Sequence, residues 1–545
     1  MSIVIVDGHQ VEIRDGERLN AIQAAERAGV LIPHYCWHPG LSVVGSCRMC
    51  LVEIGSRNPE SGEISMLPKL MPGCNTQVKD GTVIVTTSEK VQRSRAMVEE
   101  DLLLRHPVDC PICDKAGECT LQDYHFEYGQ SARRADIRPF TSRRRDVGDV
   151  TLFVDRCVMC TRCVRFTREI TGTGELMVIN RGAHEEIDIL PDFPLNNKLS
   201  GNVVDLCPVG ALCDMDFLYK QRVWYLKRQP GVCTGCATGC SIWIEQNHER
   251  VFRIKPRENP EVNQWWICND GRYDYRHIHD ERRLLGARRR EGERAVELDW
   301  TNLAAELRGR LEEAGKLAGV LSPYLSVEEA YLLAKFLRAV NPEAELVLGP
   351  VPVVGEDERF PNGFTISAEK CPNRRGVEEI LKRFTGRITR LADWLDAIKD
   401  KEMPGGIWFS GGYKQPDSID DTTAQALGRA RLLIIQDLFP SAVSRLATYE
   451  LGGAAYAERD GSYVSRTDHL QSIRWSVRPP AGVRPEGSLF WELLGMPGLY
   501  NARTVLSEVA REIGVFHVAG RDVPDVGVNL KVNLIAGAAA PADVV

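Results

Sequence analysis

The sequence predicts a multidomain protein of mixed α+β and α/β class, with small domains in its first half and one α/β domain in its second. Its 545 residues exceed what a single hydrophobic core usually holds. Every cysteine except Cys371 lies at or before Cys268, so the two halves differ in their chemistry. Short apolar stretches alternate with amphipathic helical stretches beyond residue 285, which favours a parallel sheet there.

The overall composition is that of an ordinary globular protein, with 43% hydrophobic and 26% charged residues and a formal net charge of -7. An acidic balance argues against a general nucleic-acid binder. The first eight residues lack the features of a signal peptide, and no stretch reaches the roughly 18 apolar residues of a membrane span. We therefore expect a cytoplasmic protein, at most peripheral at the inner face of the plasma membrane.

The 17 cysteines are the most informative feature, because short-spaced cysteines in a cytoplasmic chain bind metals or cofactors more often than they form disulfides. The first set follows a predicted hairpin, Ser2 to Val6 and Val11 to Arg14, and a predicted helix, Leu19 to Ala28. Its spacing is C-x10-C-x2-C-x23-C, formed by Cys36, Cys47, Cys50 and Cys74.

This arrangement resembles the β-grasp fold of plant-type ferredoxins, in which four thiolates hold a [2Fe-2S] cluster. The first gap of ten residues departs from that type, and it is the gap found in complex I G subunits and their hydrogenase relatives. Zinc is the alternative metal, but four-cysteine zinc sites usually present two C-x2-C pairs, whereas this set has one.

The second set has only three close cysteines, so its fourth ligand is either distant or a histidine. It is written H-x3-C-x2-C-x5-C and comprises His106, Cys110, Cys113 and Cys119. The spacing resembles the histidine-plus-three-cysteine [4Fe-4S] motif of the complex I family. His125 is the alternative ligand. Imidazole in place of a thiolate leaves a cluster one unit less negative, which alters its reduction potential.

The third set is a C-x2-C-x2-C run joined by a remote cysteine that precedes Pro208, as in one half of a bacterial ferredoxin. Its predicted [4Fe-4S] ligands are Cys157, Cys160, Cys163 and Cys207. Cys213 lies six residues further on and is assigned to the core, where a free cysteine packs as a small hydrophobic residue.

The fourth set has the spacing C-x2-C-x3-C-x27-C and comprises Cys233, Cys236, Cys240 and Cys268. It resembles the N-terminal [4Fe-4S] domain of the molybdopterin oxidoreductases, an ancestry that complex I G subunits share. In that superfamily a lysine follows the last cysteine by two residues, whereas Asp270 stands there in this chain. No molybdenum ligand is present near the strand Glu345 to Leu348, so no molybdopterin is expected.

Three basic residues surround the third set, namely Arg156, Arg162 and Arg165. They could offset the negative charge of a cluster and favour its reduced state; the alternative is an ordinary solvated or interface face. In the second half, Cys371 is predicted to lie in a surface loop. The alanine-rich end, Ala536 to Val545, is predicted to be frayed or a partner-binding extension.

The strand candidates of the second half are Ala318 to Leu321, Glu345 to Leu348, Gly406 to Phe409 and Arg431 to Gln436. Amphipathic helices are predicted at Ser326 to Ala339 and Gly376 to Phe384. No dinucleotide or P-loop motif is present, so neither nicotinamide nor nucleotide binding is predicted for this chain.

Together the four sets resemble the G subunit of bacterial respiratory complex I, NADH-quinone oxidoreductase, with a shortened, degenerate molybdopterin-oxidoreductase-like C-terminal domain. The resemblance implies one [2Fe-2S] and three [4Fe-4S] clusters, and no catalytic residue in this chain. It implies domains at 1–82, 83–140, 141–222, 223–285 and 286–545, of which the last is α/β and the first four each hold one cluster in chain order.

The same resemblance implies an electron relay within a peripheral arm. Electrons from NADH would arrive through the flavin-bearing F subunit, which acts with E, and leave toward the I and C/D subunits and quinone. The alternatives are the electron-transfer subunit of a NAD-linked hydrogenase or formate dehydrogenase, which shares the first sets, and a non-enzymatic redox sensor, which would rarely need four clusters.

Overall fold

The computed structural model describes residues 2–132, 134–135, 143–182, 184–292, 294–415, 418–520 and 522–531. The chain forms two compact units. The first contains the residues up to Leu226 together with Phe360–Asn362, and the second contains the rest of the chain from Lys227. The predicted extension from Ala536 to Val545 lies outside the described residues.

The first unit opens with a mixed sheet and one helix. Its elements in chain order are β1 Ser2–Val6, β2 His9–Ile13, α1 Ala21–Arg27, β3 Leu51–Arg57, β4 Ile64–Met66, β5 Met71–Pro72 and β6 Thr82–Val85. The strand order is β2-β1-β6-β3-β4, and β5 pairs with β3. The predicted hairpin and helix are confirmed. Helix α1 begins where the Asn20 side chain accepts the backbone N–H of Gln23, and it buries its alanines and Ile22 against the sheet.

The rest of the first unit consists of short elements. They are α2 Glu89–Arg105, α3 Thr120–Tyr128, β7 Arg144–Asp146, β8 Val150–Phe153, α4 Arg162–Arg165, β9 Leu176–Ile179, β10 Glu186–Ile189, α5 Asn202–Leu206 and β11 Leu212–Asp214. Strands β11, β8 and β7 form one small antiparallel sheet, and β10 and β9 form another. A mixed α/β architecture with ferredoxin-like cluster regions is thus confirmed, while the β-grasp assignment and the five-domain division stay predictions.

The second unit begins with an antiparallel sheet and continues into a larger one. Its elements are β12 Lys227–Val232, β13 Ser241–Asn247, β14 Arg250–Pro256, α6 Asn269–Tyr273, β15 Ala287–Glu291, β16 Arg294–Leu298, α7 Leu303–Glu313, β17 Leu317–Leu321, α8 Val327–Val340, β18 Glu345–Leu348, β19 Glu358–Arg359, β20 Thr365–Ile366, α9 Arg374–Thr385 and α10 Leu391–Ala397.

The remaining elements of this unit are β21 Gly406–Ser410, α11 Asp421–Leu427, β22 Leu432–Asp437, β23 Tyr449–Gly452, β24 Gly461–Val464, β25 His469–Ile473, α12 Glu486–Leu493, α13 Ala502–Glu512 and β26 Val528–Asn529. The large sheet has the order β16-β15-β23-β22-β21-β17-β18, and its strands from β23 to β18 are parallel. The predicted parallel sheet and its four strand candidates are therefore confirmed.

Alternate residues of the parallel strands are buried on opposite faces of this sheet. Trp408 and Ile434 pack on the face that carries α8, α12 and α13, whereas Ile407 and Leu433 pack on the face that carries α10 and α11. Burial on both faces explains why these strands are continuous apolar runs in the sequence. Cys371 is fully buried in the second of these clusters, so the prediction of a surface loop is wrong at that residue.

None of the helices within the described residues combines the length and the apolar character needed to cross a bilayer.

One buried carboxyl group makes the stability of the second unit dependent on pH. Glu328 in α8 is 1% exposed and accepts the backbone N–H and the hydroxyl of Ser462, each at 2.8 Å. Burial raises the pKa of Glu328 to about 7, because the charged form is poorly solvated there.

We expect stability to be highest when Glu328 is protonated and to fall as the pH rises through about 7. Glu328→Gln should reduce this loss between pH 5 and pH 8, by at most about 3 kcal/mol in the free energy of unfolding. Urea titrations at the two pH values measure the effect. Glu297→Gln, at an 85% exposed side chain, is the matched control. An equal loss of stability in the wild type and in Glu328→Gln would contradict the assignment.

Candidate metal centres

The first cysteine set is gathered around one point of the first unit. Cys36, Cys50 and Cys74 are at most 2% exposed, and Cys47 is partly exposed. The thiols are within hydrogen-bonding reach of one another, Cys36 with Cys47 and Cys74, and Cys50 with Cys74. These neighbouring thiols lower the pKa of Cys36 because they donate to its thiolate. Gly45, with φ 63°, allows the tight turn of the loop that carries Cys47.

The second set follows helix α2. His106, Cys110 and Cys119 line one cavity of about 350 Å³, together with His125. Cys113 is 8% exposed and lies instead beside Gly210 of the third set's remote loop, where an added Cβ would stand 2.2 Å from the Cys113 sulfur. Only glycine therefore fits at that position without moving the sulfur.

Both histidines of this cavity have a buried Nδ1 atom with no hydrogen-bond partner. The pKa of His106 is lowered to about 4, chiefly by burial and then by the charge of Arg156. A neutral imidazole is the form that binds metal. The geometry thus supports His106 as a donor, and His125 stays open as the alternative.

The third set lines a single, almost entirely apolar cavity. Its four cysteines, Cys157, Cys160, Cys163 and Cys207, are joined there by apolar side chains that include Leu152, Ile187 and Val209. Burial raises the pKa of Cys160 to about 11. The backbone N–H of Met159 donates to the sulfur of Cys157 at 3.4 Å, so the loop already directs a donor at sulfur.

Cys213 is not among the residues that line this cavity. It is 5% exposed, and its thiol donates to the carbonyl oxygen of Gly210 at 3.6 Å. Its prediction as a core residue is therefore confirmed.

The fourth set lies in the second unit, where the turn between β12 and β13 carries three of its members. The four side chains are 3% to 6% exposed, and they are Cys233, Cys236, Cys240 and Cys268. The backbone N–H of Gly235 donates to Cys233 at 3.4 Å, and that of Gly271 donates to Cys268 at 3.3 Å. An added Cβ on Gly271 would stand 2.8 Å from the Cys233 sulfur, so the backbone approaches the set closely.

The structure also places charged residues near this set that no sequence motif predicts. Lys414 forms an ion pair with Asp274, and both act on the pKa of Cys233, Asp274 raising it and Lys414 lowering it. The Asp274 carboxylate also accepts the hydroxyl of Thr234 at 3.1 Å. Lys414 is far from the cysteines in the chain, so only the tertiary structure reveals this pair.

The basic residues near the third set are not a solvated face. Arg156 is 2% exposed and Arg165 is 8% exposed, so the alternative interpretation as an exposed face is wrong for both. Arg156 pairs with Asp109 at 3.0 Å and stacks over Phe153 at 3.9 Å from the ring centre. Arg162 is partly exposed.

These donor sets fit iron-sulfur clusters. All 17 cysteines are free thiols, and most of the predicted cysteine ligands are buried, while Cys47, Cys110 and Cys157 are partly exposed. Within the described residues, no three cysteine, histidine or carboxylate side chains are grouped as ligands of a single metal ion. In a [4Fe-4S] cluster each ligand binds a different iron, and in a [2Fe-2S] cluster each of the two irons takes two thiolates, so the ligands of either cluster surround a space larger than one ion.

The two histidines of the second set can be separated by substitution. If His106 is the fourth ligand, His106→Ala should lose the iron of one cluster, about four irons per chain, whereas His125→Ala should retain it. Iron analysis together with low-temperature EPR of the reduced protein measures this difference. The reverse pattern would assign His125, and loss of iron in both variants would mean that the cavity, rather than one ligand, holds the metal.

Four family descriptions match the chain in succession. Residues 3–89 match "2Fe-2S iron-sulfur cluster binding domain", and residues 95–134 match "NADH-ubiquinone oxidoreductase-G iron-sulfur binding region". Residues 149–213 match "NADH-quinone oxidoreductase subunit 3, ferredoxin-like domain", and residues 228–276 match "NADH-ubiquinone oxidoreductase NDSU1/NuoG-like, 4Fe-4S domain". Each match contains one of the four cysteine sets.

Curated relatives carry the corresponding names. The G subunit of the Rickettsia prowazekii NADH-quinone oxidoreductase is 35% identical over 436 residues, which are 77% of this chain and 61% of the relative. Subunit 3 of the Thermus thermophilus enzyme is 37% identical over 366 residues, 62% of this chain and 46% of the relative. The 75 kDa subunit of the Reclinomonas americana NADH-ubiquinone oxidoreductase is 33% identical over 65% of this chain and 50% of the relative.

The chain spans about half the length of most of these curated relatives. Among solved structures, an NAD+-reducing [NiFe]-hydrogenase in the H2-reduced state matches at 27% identity over 41% of this chain and 91% of that chain, with a TM-score of 0.35, too low to carry an argument. Sequence similarity and the ordered succession of four cluster regions therefore relate this chain to the G subunit of NADH-quinone oxidoreductase.

Proposed function

We propose that this chain is the iron-sulfur electron-relay subunit of an NADH-quinone oxidoreductase. It holds one [2Fe-2S] and three [4Fe-4S] clusters through the four ligand sets described above, with His106 as the single nitrogen donor. The observation that carries the proposal is the presence of four separate sets of free, mostly buried thiols in one chain. A single reaction centre needs one such group, whereas a relay needs several.

The protein's own residues prepare each group for one-electron transfer. Thiolates match the softness of iron, and burial keeps water from the sulfur atoms. Backbone N–H groups donate to sulfur in the third and fourth sets. Such hydrogen bonds stabilise the additional negative charge of a reduced cluster, which when bound stores one electron at a time.

The proposed partners are the other subunits of the peripheral arm of the complex. Electrons enter from the flavin-bearing F subunit, which acts with E, and leave toward the I and C/D subunits. Oxidation of NADH and reduction of quinone take place in those partners, and this chain contributes no catalytic residue. The proposed location is the cytoplasmic face of the plasma membrane, where this chain is a peripheral part of the complex. The second half is proposed to be a shortened molybdopterin-oxidoreductase-like domain without molybdopterin.

The cluster inventory can be tested on the anaerobically purified chain. We expect about 14 irons per chain, with one binuclear and three cubane EPR signals after reduction by dithionite. Cys47→Ala, Cys110→Ala, Cys157→Ala and Cys236→Ala should each remove one signal, which assigns all four. Cys213→Ser and Cys371→Ser are the matched controls and should retain every signal. Zinc in place of iron in the intact protein would contradict the proposal.

The relay role is tested in the intact complex. In Cys160→Ala the third cluster should be lost, and NADH-dependent quinone reduction should be largely lost with it. NADH oxidation by ferricyanide, an acceptor that takes electrons at the flavin, should persist because it does not use the relay. Cys213→Ser is again the control. Normal quinone reduction in a complex that lacks the third cluster would show that this set is not on the electron path.

A further inference from the structure

Arg165 joins two cysteine sets that are far apart in the sequence. It is the last residue of helix α4, and its side chain is directed into the first unit at 8% exposure. Its guanidinium donates to the carbonyl oxygen of Cys36 in the first set, and to that of Cys160 in the third set at 3.2 Å. It also donates to the carbonyl oxygen of Ser42 in the loop between Cys36 and Cys47. One side chain thus contacts the ligand backbone of both sets.

Arg162 makes a parallel connection from the start of the same helix. It donates to the carbonyl oxygen of Trp37, next to Cys36, at 2.5 Å, and to that of Leu206, next to Cys207, at 3.3 Å. The planar fork of an arginine suits such bridging because it presents several donors in fixed directions. Two arginines therefore hold the first and third ligand loops together.

The charge of this pair is not balanced by a carboxylate. Among the described residues, no acidic side chain lies at ion-pair distance from Arg162 or Arg165, and their hydrogen-bond acceptors are neutral carbonyl oxygens. Glu169, four residues after Arg165, instead accepts the backbone N–H of Ser42 at 2.9 Å and the Ser42 hydroxyl. The Nε atoms of both arginines are buried without a partner.

A buried, unpaired cation is costly unless an anion is nearby. Four thiolates around a cluster supply negative charge at each of the two sets, and one-electron reduction adds a further unit. Within the part of the chain that the structure describes, the anions available to compensate these arginines are the thiolates of the two cysteine sets and the clusters that they would hold.

We infer that Arg165, supported by Arg162, is a shared positioning residue of the first and third clusters. It fixes the spacing of their ligand loops, and its buried charge stabilises the reduced form of both. This inference rests on the proposed function and deepens it, because it names the residue through which two members of the relay are electrostatically linked.

The test uses the full-length holoprotein and redox titrations followed by EPR. In Arg165→Met the ratio of reduced to oxidised cluster at a given potential should fall about tenfold for both the first and the third cluster, a shift of about 59 mV to lower potential for a one-electron couple. The signals of the second and fourth clusters should keep their potentials. Arg165→Lys should restore most of both shifts because it keeps the charge.

Arg168→Met is the matched control, since Arg168 is exposed one turn further along the same segment and should leave all four potentials unchanged. A shift confined to one cluster, or an equal shift in Arg168→Met, would overturn the inference. If Arg165→Met loses clusters, iron analysis decides: loss of the first and third together supports the link. If Arg165→Met loses all four clusters, the redox titration is made on Arg165→Lys instead. A changed potential of only one of the two clusters in that variant would overturn the inference.

If the wild-type protein itself contained no iron-sulfur clusters, the proposed function would fail, and this result is distinguishable from a normal cluster content with unaltered potentials in Arg165→Met.

Discussion

Thiolate donors have to be brought together from separate segments and kept away from water, and this requirement explains much of the first half of the chain. Three strands separate the loop of Cys36 and Cys47 from Cys74, and more than forty residues separate the C-x2-C-x2-C run from Cys207. Each closure costs conformational entropy. Apolar contacts offset part of that cost and binding of the proposed clusters would offset more, which fits a first unit of short helices and strands connected by loops that carry cysteines.

Buried and half-buried arginines hold the ligand loops of the first unit in place. Arg156 connects the loop before Cys110 to the loop after Cys207, through Asp109 and the carbonyl oxygen of Gly210 at 3.5 Å. Arg162 and Arg165 connect the first set to the third. Three separate ligand loops are thereby fixed relative to one another by multidentate hydrogen bonds. The same contacts place positive charge between sites that we propose to hold negatively charged clusters, so structural and electrostatic roles would coincide in these residues.

The second unit is organised differently, around a large parallel sheet. Its parallel sheet is covered on both faces, and its helices pack on two apolar clusters that alternate along each strand. Several charged residues inside it are paired, as in Arg283 with Glu458 at 2.6 Å and Arg459 with Glu329 at 2.9 Å. Three members of the fourth cysteine set lie in the turn of the small antiparallel sheet that precedes this sheet, and Cys268 precedes α6. Burial raises the pKa of Cys233 in that set, and Lys414 from the loop after β21 lowers it.

From the sequence alone the cysteines could be assigned to four sets, because the short spacings within each set are a local property, and this assignment stays a prediction. The sequence also determined the hairpin, helix α1 and the four parallel strands, since each has a clear periodicity or apolar run. Only the tertiary structure decided which arginines are buried, that Cys371 lies in a core, that Gly210 packs on Cys113, and that Lys414 pairs with Asp274. These facts depend on contacts between residues that are distant in the chain, and for such contacts no local pattern exists. The sequence around an arginine in a basic stretch is the same whether the side chain faces water or two ligand loops, and only the fold distinguishes the two cases.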